Sequence, residues 1–210
     1  MIIAIDGPAG AGKGTLANRL AEHFGLAKLD TGLLYRAVGM KVVRSESDPE
    51  NEPLATIMAQ GLTASDMEAD DLRTEEAGSA ASKVSVFPGV RRALLEFQRN
   101  FATNPPGNTK GAILDGRDIG TVVCPDADVK FFITAAVEVR AGRRYRELLG
   151  RDGKADYDQV LEDMKIRDAR DQDRNASPLL AAPDACQIDT SGMDVDTVFD
   201  TALDFVSAKA

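Results

Sequence analysis

The chain has 210 residues, 43% hydrophobic and 28% charged, enough for one well-buried core with room for small inserts. Its 34 acidic and 25 basic side chains leave a formal net charge of −9, which argues against a general nucleic-acid binder. No run of about 18 apolar residues exists, so no membrane span is expected. Residues 1–6 have neither the basic flank nor the long apolar run of a signal peptide, so a cytoplasmic protein is expected.

Residues 2–5 are a short apolar run that stops at Asp6-Gly7-Pro8, the pattern of a strand buried on both faces. From Gly14 to Phe24 the period changes. Leu16, Leu20 and Phe24 fall four apart, with Asn18, Arg19, Glu22 and His23 between them, which is an amphipathic helix. Residues 26–29 read as a second strand ending at Asp30-Thr31-Gly32, and 33–43 as a helix. Residues 45–75 are rich in Asp, Glu and Ser and read as an exposed, partly helical insert. Residues 77–98 read as two helical pieces broken at Phe87-Pro88-Gly89, because proline cannot continue the first. A loop is expected over 103–111.

A third strand, 112–114, ends at Asp115-Gly116-Arg117-Asp118. A fourth spans 129–134 and is followed by a helix over 137–149 and a turn over 150–156. Tyr157, Val160, Leu161 and Met164 mark a further helix face. A fifth strand over 186–188 and a helix over 195–206 close the chain. Strands alternating with helices imply an α/β fold, a five-stranded parallel sheet covered on both sides.

The central motif is Gly7-Pro8-Ala9-Gly10-Ala11-Gly12-Lys13-Gly14-Thr15. Its glycines allow a tight turn and close approach to a ligand, and the following helix N-terminus offers amides to an anion. Lys13 supplies a mobile positive charge for a transferring phosphoryl group. Position 14 departs from the usual loop, which has Ser or Thr after the lysine to hold Mg²⁺; here the hydroxyl comes one place later, on Thr15. Cys124 and Cys186 fit neither a metal knuckle nor a redox pair, and the single histidine, His23, reads as a surface residue. Arginines cluster over 140–151 and 167–174, which fits either a confined anionic ligand or a salt-bridged surface.

The loop form Gly-x-x-Gly-x-Gly-Lys-Gly-Thr resembles that of nucleoside monophosphate kinases, which belong to the P-loop kinases. Further segments are similar to bacterial cytidylate kinases in particular. These are Leu29-Asp30-Thr31-Gly32-Leu33-Leu34-Tyr35-Arg36, Ala80-Ala81-Ser82-Lys83-Val84, Phe87-Pro88-Gly89-Val90-Arg91, and the run from Asp115 to Val123. Residues 167–178 resemble that family's lid. The resemblance implies a three-layer α/β/α P-loop nucleotide kinase with a core (about 1–30, 93–149 and 179–210), a small monophosphate-binding insert (about 31–92) and a helical lid (about 150–178). It implies transfer from MgATP to CMP or dCMP, in pyrimidine nucleotide metabolism, with Mg²⁺ and no nucleic-acid or membrane partner. The site elements fall within one chain, so a monomer is expected.

Residue by residue, the resemblance assigns Gly7 to Thr15 to ATP. Arg36, Arg117 and Arg174 go to the acceptor phosphate, with Lys13, Arg117, Arg167, Arg170 and Arg174 neutralising charge during transfer. Arg167, Arg170 and Arg174 share one face if their segment is helical, where an i,i+4 salt-bridge ladder is the alternative. Asp118 is expected to read the base, since a carboxylate accepts from the cytosine amino group where uracil presents a carbonyl. Arg91 and Ser82 match positions that donate to the base, Thr31 keeps a hydroxyl at a CMP-binding position, and Asp171 matches one that binds the acceptor sugar. Asp115 is expected to organise Mg²⁺ through water. Arg140 is placed to stack on adenine and Arg144 to touch donor phosphates, although a solvated helix face fits both equally. The short acidic stretch 61–74 leaves no room for a β-rich insert. The competing functions are a kinase for UMP, AMP or shikimate, and a nucleotide-dependent regulatory module.

Overall fold

A computed structural model describes residues 1–209. Five strands form one sheet: β1 (Ile2–Asp6), β2 (Ala27–Asp30), β3 (Ala112–Gly116), β4 (Val129–Thr134) and β5 (Cys186–Asp189). Their order is β2-β3-β1-β4-β5, and every pairing is parallel. All five expected strands are present; the fourth has its expected span and the other four are shifted or extended by a residue or two.

Alternation along β1 builds the layers. Ile3 and Ile5 join Ile113, Phe131 and Ile133 in a core that packs against α1 (Lys13–Phe24) and α8 (Val195–Ser207) through Leu16, Leu20, Val198, Ala202 and Val206. Ala4 faces the other way with Ala112 and Leu114, against Ala102, Ile119 and Val123. Continuous apolar runs are therefore needed in the central strands β1 and β3, where both faces are covered. Gly25 ends α1 in the left-handed region at φ 68°. His23 is exposed and meets Phe24 and Phe199 edge-on.

Residues 31–92, the expected insert, are mostly helical: α2 (Thr31–Arg44), α3 (Glu52–Gln60), 3₁₀ turns at Ala64–Met67 and Asp70–Arg73, α4 (Glu75–Val84) and the first turn of α5 (Pro88–Thr103). Among the described residues no strand lies between β2 and β3, as the short acidic stretch implied. Asp30 caps α2 by accepting from the Gly32 amide at 3.0 Å, and Thr74 caps α4 through the Ala77 amide at 3.1 Å. Pro88 starts α5 at a position where its missing N–H costs nothing. Because α5 runs unbroken past residue 92, the expected insert boundary falls inside a helix. Gly39 lets α2 and α4 cross closely, since a Cβ there would sit 2.7 Å from the Ala80 Cβ.

Beyond β4, α6 (Val137–Asp152) extends three residues past its expected end and stops at Gly153, φ 68°. The turn is correspondingly shorter. Next comes α7 (Tyr157–Asp173), capped by Asp156. Arg174 is the first residue beyond α7 and is extended, so only Arg167 and Arg170 keep the helical spacing expected for three arginines. No described helix is long and apolar enough to cross a membrane.

Candidate active site

The carboxyl ends of β1, β2, β3 and β4 converge on one edge of the sheet, where open α/β sheets hold ligands. At the end of β1 the chain turns at Gly7 with φ 144°, and a Cβ there would lie 1.9 Å from the Ile133 carbonyl oxygen. Only glycine fits that contact. Gly10 and Gly12 also have positive φ. The turn delivers the chain to α1, whose first turn carries no side-chain cap and no acidic residue. Its amide donors and dipole are thus left for an anion.

Lys13 is buried and donates from Nζ to the Pro8 carbonyl at 2.8 Å. Burial, and then the Arg117 charge, lower its pKa to about 7. Asp115, at the end of β3, is also buried, and its Oδ2 has no hydrogen-bond partner. Burial first, then Asp30, raise its pKa to about 6. Lys28 Nζ lies 3.9 Å from that oxygen, and a Cβ at Gly14 would lie 3.7 Å from it. The carboxylate therefore looks straight at the loop position that lacks a hydroxyl. A buried carboxylate oxygen with no hydrogen bond, beside a phosphate-type loop, fits a ligand for hydrated Mg²⁺. Thr15 is exposed on the same cleft wall.

That cleft has a volume of about 910 Å³, and its walls include Lys13, Arg36, Arg117, Arg144, Arg167 and Arg170. Arg36 donates to the carbonyls of Leu72 at 2.9 Å and Thr74 at 3.2 Å. Arg117 donates to Asp171 at 2.9 Å, and Arg170 to the Ser82 hydroxyl at 2.9 Å. Arg36 and Arg167 close on Gly78 from two sides, where a Cβ would meet a guanidinium nitrogen of each at 3.5 Å. Arg167 Nε is buried without a partner, and burial followed by the Arg117 charge lowers its pKa to about 10. Cations held this close, with partners for only some of their donors, are arranged for an anion of high charge.

A second, apolar recess of about 200 Å³ lies beside the cleft, lined by Tyr35, Arg91, Leu95, Gln98, Asp118 and Val122. Asp118 is 5% exposed and pairs with Arg91, while Arg174 Nη2 stands 4.0 Å away. Arg91 also donates to the Ser85 carbonyl at 3.1 Å. The expected acceptor residues thus form two groups: Arg36, Ser82, Arg117 and Arg167 on the cleft, and Arg91 and Asp118 on the recess. Arg174 and Asp171, 4.0 Å apart, bridge them from behind.

Three expected residues are buried with their polar atoms engaged inside the protein. Thr31 donates its hydroxyl to the Asp115 carbonyl at 2.8 Å, and Asp171 accepts from Arg117. Arg140 does not have the placement of an adenine-stacking platform. It is 4% exposed and donates to the carbonyls of Ala135 at 2.8 Å and Ala9 at 3.2 Å, and to both Asp168 oxygens. Its guanidinium props the glycine loop against α7. Arg144 does face the cleft, held by Glu75 and Glu147.

The family model described as cytidylate kinase matches residues 3–208. The chain belongs to the cytidylate kinase family. A protein named cytidylate kinase from Paramagnetospirillum magneticum is 57% identical over 208 residues, spanning 99% of this chain and 98% of that protein. One of the same name from Rhodospirillum rubrum is 52% identical, spanning 100% and 99%. Among solved structures, an uncharacterized protein from Eubacterium ventriosum aligns with a TM-score of 0.52 at 19% identity, covering 99% of this chain and 98% of its own; it supports the fold alone.

Sequence reasoning missed several residues that shape this cytidylate kinase site. Lys28 sits within a strand and reaches Asn18 at 2.7 Å as well as Asp115. A lysine between Ala27 and Leu29 in an otherwise apolar run was the available signal. Asp168 and Glu75 were legible only as charges, because their partners Arg140 and Arg144 lie 28 and 69 residues away. The turn Ile119–Val123, a π-helical piece directly after Asp118, carries no periodicity that a sequence could display.

Proposed function

We propose that the protein transfers the γ-phosphoryl group of ATP, with Mg²⁺, to the phosphate of CMP or dCMP, giving ADP and CDP or dCDP. The observation that carries this reading is the buried Arg91–Asp118 pair opening on an apolar recess, next to a cleft walled by cations. A flat base with an amino group fits the recess, and its phosphate reaches the cleft. Asp118 accepts from the cytosine amino group and Arg91 donates to the acceptor edge beside it.

The acceptor phosphate is already an anionic nucleophile near neutral pH, so alignment and charge neutralisation carry the reaction. Arg36, Arg117 and Arg167 hold the acceptor phosphate, and Arg174 braces Asp118 and Asp171 behind it. Lys13 follows the moving phosphoryl group, which restores the charge that its burial disfavours. Arg170, tied to Ser82, joins α7 to the insert, so residues 150–178 act as a lid that closes on the phosphates. Asp115 would hold Mg²⁺ through water, and the metal would neutralise charge on the donor phosphates. Arg140 shapes the loop that cradles those phosphates, and Arg144 exchanges Glu75 for a donor oxygen. Donor, acceptor and metal positions all come from one chain, which supports a monomer with small-molecule partners.

An ADP-release assay with MgATP and CMP, dCMP, UMP, AMP or shikimate tests this. Fast turnover with CMP or dCMP and weak turnover with UMP is the expected result. Preference for another acceptor would end the cytosine assignment, and ATP binding without turnover on any acceptor would end the kinase assignment.

A further inference from the structure

The end of β1 carries a carboxylate that the transfer reaction leaves without a task. Asp6 is 3% exposed and accepts from the Ile119 amide on Oδ1 at 2.7 Å and from the Gly120 amide on Oδ2 at 2.7 Å. These amides open the turn Ile119–Val123, and the opening donors of any helical turn lack partners within it. Asp118 occupies the cap position but gives no side-chain cap, because its carboxylate points to Arg91. The cap arrives instead from a strand 113 residues earlier in the chain.

The other end of the same turn is clamped too. Arg99 donates to the Val123 carbonyl at 3.0 Å and the Val122 carbonyl at 3.0 Å. Between the clamps, the amides of Val122 and Val123 close on the Asp118 carbonyl at 2.9 and 3.1 Å. Asp118 therefore has its backbone set by a turn held at both ends. Space at Gly120 is tight, for a Cβ would lie 3.2 Å from Lys130 Cδ and 3.4 Å from Asp6 Oδ2. A carboxylate at this buried strand end pays a desolvation cost that raises its pKa to about 6, and the two backbone hydrogen bonds offset only part of it. Such an arrangement is expensive for a merely structural cap.

We infer that Asp6 is a positioning residue for base recognition: by holding the Ile119 and Gly120 amides it fixes where the Asp118 carboxylate meets the acceptor base. It also ties that recognition loop to the strand from which the glycine loop springs, so the donor and acceptor sites share one anchor. The inference rests on the reading of Asp118 as the cytosine-reading group.

The test is Asp6→Asn. The amide keeps one accepting oxygen and sets an NH₂ group against the other backbone N–H. One charge-assisted bond is lost, and a shift of that order corresponds to about tenfold. The expected result is a KM for CMP about tenfold higher, a CMP-to-UMP ratio of kcat/KM about tenfold lower, and a KM for ATP within about twofold of wild type. A structural role alone would lower kcat or thermal stability for every acceptor and leave the ratio in place, and that outcome overturns the inference. If Asp6→Asn does not fold, Arg99→Met releases the turn from its more exposed end and is expected to lower the same ratio; an unchanged ratio there overturns the inference equally. A wild type that ignores cytosine nucleotides would sink the Asp118 reading and this one together, whereas a selective wild type with an equally selective Asp6→Asn sinks only this one.

Discussion

Arg167→Met should make the protein without nucleotide more stable and the enzyme nearly inactive. Arg167 is partly buried, its Nε has no partner, and burial followed by the Arg117 charge lowers its pKa from the ordinary arginine range to about 10. A depressed arginine pKa means that the fold disfavours the cation, and at every pH below about 10 this cost is present. The shift corresponds to about 3 kcal/mol, and solvent at the partly exposed side chain reduces it to about 1–3 kcal/mol. Methionine fills similar space without charge and should recover that amount. For a chain of this length each kcal/mol raises Tm by about 2–4 °C. Thermal melts at pH 7.5 without nucleotide read the gain directly, and the same melts with saturating ATP and CMP should show a smaller ligand-induced rise for the variant. Steady-state kinetics should show kcat down by about 10²-fold or more, since a cation at the transferring phosphoryl group is lost. A variant that melts below wild type, or one that keeps its kcat, would refute the claim that this cation is held ready for phosphate.

Asp115 gives a prediction in pH. Its folded pKa is raised from 3.8 to about 6, so its contribution to stability is present below 3.8 and is lost as pH rises through about 6. Asp115→Asn should therefore melt higher than wild type at pH 8 in the absence of nucleotide and Mg²⁺, with the gap closing toward pH 4; an equal gap at both pH values would contradict the assignment of burial as the cause. Asp118→Asn should cut kcat/KM for CMP by about ten- to hundredfold while leaving the KM for ATP nearly unchanged, because the lost base contact and the weakened Arg91–Asp118 pair both belong to the acceptor recess. Comparable losses on ATP and CMP would show that Asp118 supports the whole site instead.

Much of the sheet was legible because both of its faces are buried. The runs ending at Asp6 and Asp115 are apolar throughout and the run ending at Asp30 is broken only by Lys28, and all three stop at turn residues, which leaves little ambiguity about strand or position. The glycine loop was equally plain, since its spacing sits between such a strand and an amphipathic helix. The lid was harder: three arginines at helical spacing suggested one face, but α7 ends at Asp173 and leaves Arg174 to a different role behind Asp118. Arg140 shows the limit most clearly. As a sequence feature it was a basic residue one turn from Arg144. Its destination was decided by Ala9, 131 residues away, and by Asp168 on another helix. Long-range partners of this kind also define Asp6, whose position beside the glycine loop was visible but whose amide partners lie across the sheet. Local pattern reports which residues are buried, and the pairing of buried charges follows from topology.

The most direct test of the account is to follow the phosphorus itself. Wild-type protein is incubated with MgATP and CMP, and the products are resolved by phosphorus NMR. The account predicts matched growth of CDP and ADP signals, requiring both substrates and abolished in Lys13→Met. Release of inorganic phosphate with CMP unchanged would contradict it, because the cations of the cleft would then be serving ATP hydrolysis and no acceptor phosphate.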